Sequence, residues 1–428
     1  MTFIITCVFI ALYYIRPFEI IESMRGIPIL FIVGIVAGLF FINDIVAGRI
    51  KLFKNGTDQM MVGFYLAIGL SHVGHMYFGG ASKWMQDFFP VFIGYFLVAH
   101  SINSLKRLKI FIILLICCTA FLAFEGVMEA RNGVSYFGVR PLEQGIGYDD
   151  SGQRLTVSRI QWVGAFADPN DLAMAFVVVI PFLLNALFKR KYLIPLSLSA
   201  LIIYGIFLTN SRGGLVALAA AVFSYFVLRF RSLKGLIFGI CLAMPLFNFG
   251  PSRMGSMSAS EESAYGRLEA WYAGFQMFKS SPIFGVGRGM FTDYHDLTAH
   301  NSLVLVFAEL GIIGAFFFVG MFYFPLRSGY KTVFGQPGTD IGKDCLNSYN
   351  AIWSALIGIM TSMFFLSRSY VLLPYMLIGL SMSFVGIKEN KTEFAKASED
   401  GMTQSMKHIF IITILSIVLI NVMIKVLL

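Results

Sequence analysis

Four short segments hold residue types that do chemistry. The first is Leu208-Thr209-Asn210-Ser211-Arg212-Gly213-Gly214-Leu215, a tight turn between two apolar runs with an arginine at its tip. The two glycines permit close backbone approach, and N–H groups at the start of the next run add to a site for an anion. An arginine snorkelling from a glycine turn to lipid headgroups accounts for the same residues. The second is Ala264-Tyr265-Gly266-Arg267-Leu268-Glu269-Ala270-Trp271-Tyr272-Ala273-Gly274-Phe275, which puts Leu268, Trp271, Tyr272 and Phe275 at helical spacing. It reads as an amphipathic interfacial helix with Arg267 on its first turn, ended by Ser280-Ser281-Pro282. Gly285-Val286-Gly287-Arg288-Gly289 follows it. No strand precedes these glycines and no suitable helix follows, so they form no dinucleotide fingerprint; they read as loop, or at best as a backbone nest for an anion.

The third segment is Ala299-His300-Asn301-Ser302, directly before an apolar run that carries Glu309-Leu310-Gly311 two turns inside. A helix N-terminus disfavours a charged imidazole, so His300 is placed to accept a proton or to hydrogen-bond a phosphate, unless it is only an interfacial or capping residue. Glu309, at that depth, reads as the partner of an arginine from a loop. The fourth is Gly164-Ala165-Phe166-Ala167-Asp168-Pro169-Asn170-Asp171-Leu172. Asp168 as N-cap, Pro169 at the first helical position and Asp171 at the third make a helix-start signature. The alternative is that Asn170 or an aspartate binds sugar hydroxyls or orients arginines. His72 and His75 share a helix face, but two ligands without a third are ordinary core residues. Asp44 and Glu125 receive no role.

The elements that position these segments are membrane spans. Of 428 residues, 57% are hydrophobic, 15% aromatic and only 13% charged, with mean hydropathy +0.75. A soluble domain carries roughly 25% charged residues. This excludes cytosolic enzymes, nucleic-acid binders and secreted disulfide scaffolds. The five cysteines show no metal spacing, and no disulfide or zinc site is implied. Apolar runs near the length needed to cross about 30 Å of hydrocarbon recur thirteen times, at 1–15, 27–47, 59–79, 84–100, 110–125, 172–188, 192–209, 213–228, 235–250, 301–325, 350–366, 370–386 and 408–427. The first lacks a basic leader and a cleavage site, so it counts as a span rather than a signal peptide. The chain thus divides into N-terminal spans (1–125), an outer loop (126–171), spans joined by the Ser-Arg-Gly-Gly turn (172–250), a large outer loop (251–300) and C-terminal spans (301–428).

Basic residues in short loops mark the cytoplasmic side. Arg49/Lys51/Lys54, Lys106/Arg107/Lys109, Lys189/Arg190/Lys191, Arg229/Arg231/Lys234, Arg327/Lys331/Lys343 and Lys388/Lys391/Lys396/Lys407 fall on alternate connections, which puts the N-terminus inside and the C-terminus outside. On this topology the outer side carries eleven arginines and three lysines, the inner side six and thirteen. The positive-inside rule explains inner lysines but not outer arginines. A planar guanidinium suits bidentate phosphate or carboxylate binding, whereas span-end arginines also snorkel to headgroups; position decides between these readings.

In this order the four segments resemble the O-antigen ligase and polymerase family of bacterial polysaccharide assembly. The likeness covers roughly 160–325, and Ser211-Arg212-Gly213-Gly214 and the run from His300-Asn301-Ser302 to Glu309-Leu310-Gly311 are its most specific parts. The resemblance implies an all-α polytopic membrane glycosyltransferase, GT-C-related, with about 12–13 transmembrane helices and short amphipathic helices in a periplasmic loop. Such a protein lies in the bacterial inner membrane and works on its periplasmic face without metal or other cofactor, inverting the anomeric centre. Its donor is a glycan on undecaprenyl pyrophosphate. Its acceptor is lipid A core for a ligase or a lipid-linked repeat unit for a polymerase, with protein O-glycosylation a third possibility; the reading leans to ligase. Carried over by position, Arg212 and Arg267 would grip the donor diphosphate and His300 would activate the acceptor hydroxyl or orient the leaving group. Arg288, Arg159, Asn301, Asp168, Asn170 and Glu309 are the further candidates for diphosphate or glycan binding, and the Trp271 helix a candidate lid. Asp168 and Asp171 are close enough in sequence to hold a metal, against the family pattern. Arg140 and Arg154 rank behind these. A lipid-linked oligosaccharide flippase or transporter is the competing class. It would show charges inside helices and internal repeats, and no repeat is seen here.

Overall fold

The computed structural model describes residues 1–53, 55–148, 153–188, 192–248, 257–334, 343–389 and 401–428. Lys54, Asp149, Asp150, Lys189, Arg190, Lys191, Arg253, Lys391 and Lys396 lie outside the described residues, as do the side chains of Arg154, Glu261, Glu262 and Lys388. The chain opens with α1 (Thr2–Ile15), the short α2 (Pro17–Ile20), α3 (Ile29–Val46), α4 (Gly56–Val73), α5 (Phe78–Ser101) and α6 (Leu105–Asn132). An antiparallel hairpin of β1 (Leu142–Tyr148) and β2 (Arg154–Arg159) leads into α7 (Pro169–Leu187), α8 (Leu193–Leu208), α9 (Arg212–Phe230) and α10 (Leu233–Asn248). Then come α11 (Met257–Ser280), the short α12 (Phe291–Tyr294), α13 (Ser302–Phe334), α14 (Lys343–Phe365), α15 (Leu372–Glu389) and α16 (Gly401–Leu427).

Every apolar run falls on a helix, and seven helical stretches among the described residues are long and apolar enough to cross a membrane outright. The chain is an all-α polytopic membrane protein. Helices α8, α10 and α15 are apolar but shorter, while α4, α5 and α14 carry more polar residues along their length. The hairpin departs from the helical expectation. Its residues Leu155 and Val157 alternate with polar ones on the strand period, and a scan for 20-residue apolar runs passes over so short a pattern.

Helix α7 lies at the centre, buried from Leu172 to Leu183 and packed against α6, α8, α9 and α14. Helices in lipid gain little from the hydrophobic effect on association, so small residues that let backbones approach carry the packing. Gly214 of α9 faces Ala173 of α7, where an added Cβ would lie 2.7 Å from the alanine methyl. Gly358 of α14 is wedged against Ala221 of α9 and Val177 of α7 in the same way. On the outside, Ile32, Leu39 and Ile42 of α3 and Ile411, Leu415 and Leu419 of α16 are exposed apolar side chains suited to lipid.

Helix α13 is broken at Gly311, whose φ of 63° and ψ of −160° leave the helical region. The carbonyls freed there accept from the loop after α11: Val286 N–H reaches Ala308 O at 2.9 Å and Gly287 N–H reaches Glu309 O at 3.0 Å, while Ile312 N–H donates to Pro282 O at 2.8 Å. The loop 282–289 thus inserts into the break. This agrees with its reading as loop and not with the alternative of an anion nest. The N–H groups of Gly285, Val286, Gly287 and Arg288 are spent on Ser281 O, Ala308 O, Glu309 O and Ser71 Oγ.

Candidate active site

The Ser-Arg-Gly-Gly turn is built by capping. Asn210, at a φ of 49°, turns the chain after α8, and Ser211 Oγ then accepts from Gly214 N–H at 3.1 Å to start α9. Arg212 is the first helical residue, at the positive end of the helix dipole. A Cβ at Gly213 would come within 3.2 Å of Phe365 Cβ and one at Gly214 within 2.7 Å of Ala173 Cβ, so the turn is wedged between the C-terminal end of α14 and the head of α7. Ser211 Oγ also donates to Asn170 Oδ1 at 2.8 Å. Asn170 is fixed in turn by Asp168, whose Oδ1 caps α7 by accepting from Asn170 N–H at 2.7 Å. The helix-start signature at 168–171 is therefore real. Its asparagine goes further and ties α7 to the Arg212 turn.

At the other side of the site, His300 sits just outside α13 with a φ of 47°. A non-glycine residue in this region costs on the order of 1–3 kcal/mol and persists only where the surroundings hold it. They do so through Asn301, which caps α13 by accepting from Leu303 and Val304 N–H at 3.0 and 3.1 Å and donates from Nδ2 to Phe364 O at 3.1 Å. The His300 ring is half-buried and has no hydrogen-bond partner among the described residues. Burial first, then the Arg267 and Arg368 guanidinium groups, push its pKa below the ordinary imidazole value, with Asp168 opposing. These influences favour the neutral imidazole that a proton acceptor requires.

Arg267, on α11, is half-buried and makes no ion pair among the described residues. Burial and then Arg212 draw its pKa down, although a guanidinium stays charged through any working pH. Two neighbouring cations of this kind favour an anion between them. Trp271, one turn on, is buried edge-on against Phe364 at 5.6 Å between ring centres, which docks α11 beside the α13 and α14 ends.

The structure also brings in Arg368, from the link between α14 and α15, which the sequence reading counted among outer arginines but gave no site role. Its guanidinium pairs with Asp171 and, at 3.5 Å, with Asp168. Both carboxylates proposed as possible metal ligands are thereby engaged by an arginine. Its partner Asp171 is 197 positions away along the chain, so no local motif announces the contact.

Other candidates are placed differently. Arg159 is buried, with its donors on Thr209 O at 2.8 Å, Gln144 Oε1 at 2.7 Å and Asn170 Oδ1 at 3.0 Å; it ties the hairpin to the Arg212 turn. Arg288 pairs with Asp87 at 2.9 Å and lies between the rings of Trp84 and Tyr370, 4.0 and 4.3 Å from their centres. Its guanidinium is thus committed toward α5. Glu309 accepts from Phe291 N–H at 3.4 Å inside the broken segment of α13. Arg140 is exposed. His72 and His75 hydrogen-bond the carbonyls of Arg288 and Gly285 at 3.0 and 2.7 Å and pin the inserted loop to α4. A cleft of about 390 Å³ is lined by Glu19, Arg25, Phe137, Gln161, Trp162 and Ala167, the last being the residue before Asp168.

A family model described as O-antigen ligase matches residues 197–319. The matched stretch contains Arg212, Arg267, Arg288, His300, Asn301 and Glu309 and runs past the Gly311 break. Searches among curated proteins and among solved structures give no match. Over residues 197–319 the chain is therefore similar to the O-antigen ligase family.

Proposed function

We propose that the protein transfers a glycan from undecaprenyl pyrophosphate to a hydroxyl of lipid A core at the periplasmic face of the inner membrane. The observation that carries this reading is the convergence of Arg212, Arg267 and His300 from three separate elements of the family-matched region, with each charge acting on the next. The acceptor oxygen attacks the anomeric carbon as the bond to the diphosphate breaks. The hydroxyl proton passes to the neutral His300 ring, and the electron pair leaves on a diphosphate oxygen facing Arg212 and Arg267. A single displacement inverts the anomeric centre. Guanidinium groups supply the leaving-group stabilisation, so no metal is needed for this step. The cleft that Ala167 helps to line is suited to sugar, having two aromatic residues and several polar ones in its lining.

The test is a surface-polysaccharide gel of the native bacterium with the gene deleted, together with analysis of glycan left on the lipid carrier. Long polymer on the carrier over bare lipid A core is the expected result. Core bearing one repeat unit identifies a polymerase instead, and repeat units trapped on the cytoplasmic side identify a flippase. Complementation with Arg212→Ala or His300→Ala should leave the deletion phenotype in place at normal membrane levels. Restoration by both variants would remove the site.

A further inference from the structure

One polar chain crosses the site from His300 to Arg212, and Arg368 is its central link. On one side, the α14–α15 link is stitched to the head of α13. Ser302 Oγ donates to Leu366 O at 2.6 Å and accepts from Arg368 N–H at 2.9 Å, while Ser369 Oγ donates to Ser302 O at 2.7 Å. Asn301 adds its bond to Phe364 O. Residues 301 and 302 follow His300 directly, so this stitching sets where the imidazole stands. On the other side, the Arg368 guanidinium holds Asp168 and Asp171 at the head of α7. Asp168 fixes Asn170, and Asn170 holds Ser211, the cap in front of Arg212.

We infer that Arg368 is a positioning residue for the transfer reaction, bracing the His300 segment against the Arg212 turn through Asp168 and Asp171; this rests on the function proposed above. A guanidinium suits the task because its planar fork engages two carboxylates at once, which an ammonium does not do with the same geometry. The ion pairs are partly screened, with a quarter of the Arg368 side chain exposed, so the role assigned is geometric rather than a large stabilisation. Its charge also acts on His300. The charged groups facing that ring are Arg267 from α11, Arg368 from the α14–α15 link and Asp168 from the head of α7.

The experiment measures kcat, KM and the acid limb of the pH profile with purified enzyme, lipid-linked glycan donor and lipid A core acceptor, for the wild type, Arg368→Gln and Arg368→Lys. Since a misplacement of about 1 Å can cost ~10² in rate, Arg368→Gln should lower kcat at least ~10-fold with little change in KM. Removing the cation also lets the His300 pKa rise, so the acid limb should move to higher pH. Arg368→Lys keeps the charge and loses the fork; kcat should fall while the limb stays. Unchanged kcat in Arg368→Lys overturns the inference, and that variant decides alone if Arg368→Gln fails to fold. A lower kcat with an unmoved limb in Arg368→Gln reduces Arg368 to general structural support and also overturns it. Arg212→Ala and His300→Ala run alongside. If they transfer normally, the underlying function fails; if they are inactive while both Arg368 variants are normal, only this inference does.

Discussion

Arg267 is half-buried without a carboxylate of its own among the described residues, with Arg212 as the charge that acts on it. A cation placed against a cation is unfavourable until an anion arrives, and a diphosphate offers paired oxygens to a fork. Arg267→Lys keeps the charge and loses the fork. Transfer should fall roughly ten- to a hundredfold, the loss of one charge-assisted hydrogen bond of about 1.5–3 kcal/mol. A rate near the wild type would mean that Arg267 supplies only a generic positive potential. His300 makes a second prediction. A base works in its neutral form, which is populated above its pKa, and that pKa lies below the ordinary value of about 6.5. The acid limb of kcat/KM should therefore fall below pH ~6.5, and a limb above it would contradict His300 as the proton acceptor. The residues legible in the sequence were those whose partners are local. Ser211 caps two residues ahead of its glycine pair and Asp168 caps beside its proline, so both could be read from spacing. Arg368 and Arg159 find their acceptors across the fold, and the left-handed backbone of His300 is imposed by the bonds of Asn301 to the end of α14 and of Ser302 to the α14–α15 link; spacing carries no trace of either.

Helix positions were legible because each span announces itself by apolar length, whereas the break in α13 was not. Hydropathy runs through Gly311 without a pause, and only the inserted loop explains it. The two glycines that meet there cannot carry side chains. A Cβ at Gly285 would run into the Glu309 backbone and one at Gly311 into the Ile283 carbonyl, and both residues have positive φ. Gly285→Ala and Gly311→Ala should each lower stability in detergent by about 1–3 kcal/mol, the range for overpacking. Each destroys the same loop-to-helix contact, so the double variant should lose less than the sum. Gly386→Ala is the control, since nothing lies within 4 Å of its missing Cβ. Thermal melting of these four variants beside the wild type checks this. Strictly additive losses would mean that the loop and the break are independent, and the insertion would then hold no energetic coupling. The hairpin failed to register for the opposite reason to the break: its signal is a two-residue period over six or seven residues, too short for a search tuned to spans.

At the scale of the whole molecule, the excess of arginine over lysine on one side had two explanations, ligand binding or snorkelling to headgroups. Placement separates them for the arginines that matter. Arg159, Arg288 and Arg368 bind carbonyls, carboxylates or aromatic faces inside the protein, and Arg267 faces Arg212, so these four are not spent on lipid. Lys51, Lys106, Lys109, Lys331, Lys343 and Lys407 lie at the opposite helix ends, where the positive-inside rule expects lysines. This asymmetry predicts orientation. Tyr272 on α11 and Asp344 at the start of α14 are both exposed and belong to opposite sides. In a background with Cys7, Cys117, Cys118, Cys241 and Cys345 replaced, a membrane-impermeant maleimide should react with Tyr272→Cys in intact spheroplasts and with Asp344→Cys only after lysis. The reverse pattern would put Arg212, Arg267 and His300 on the cytoplasmic side. The donor would then have to be met before it crosses the membrane, and a ligase acting on surface polysaccharide could not be the answer.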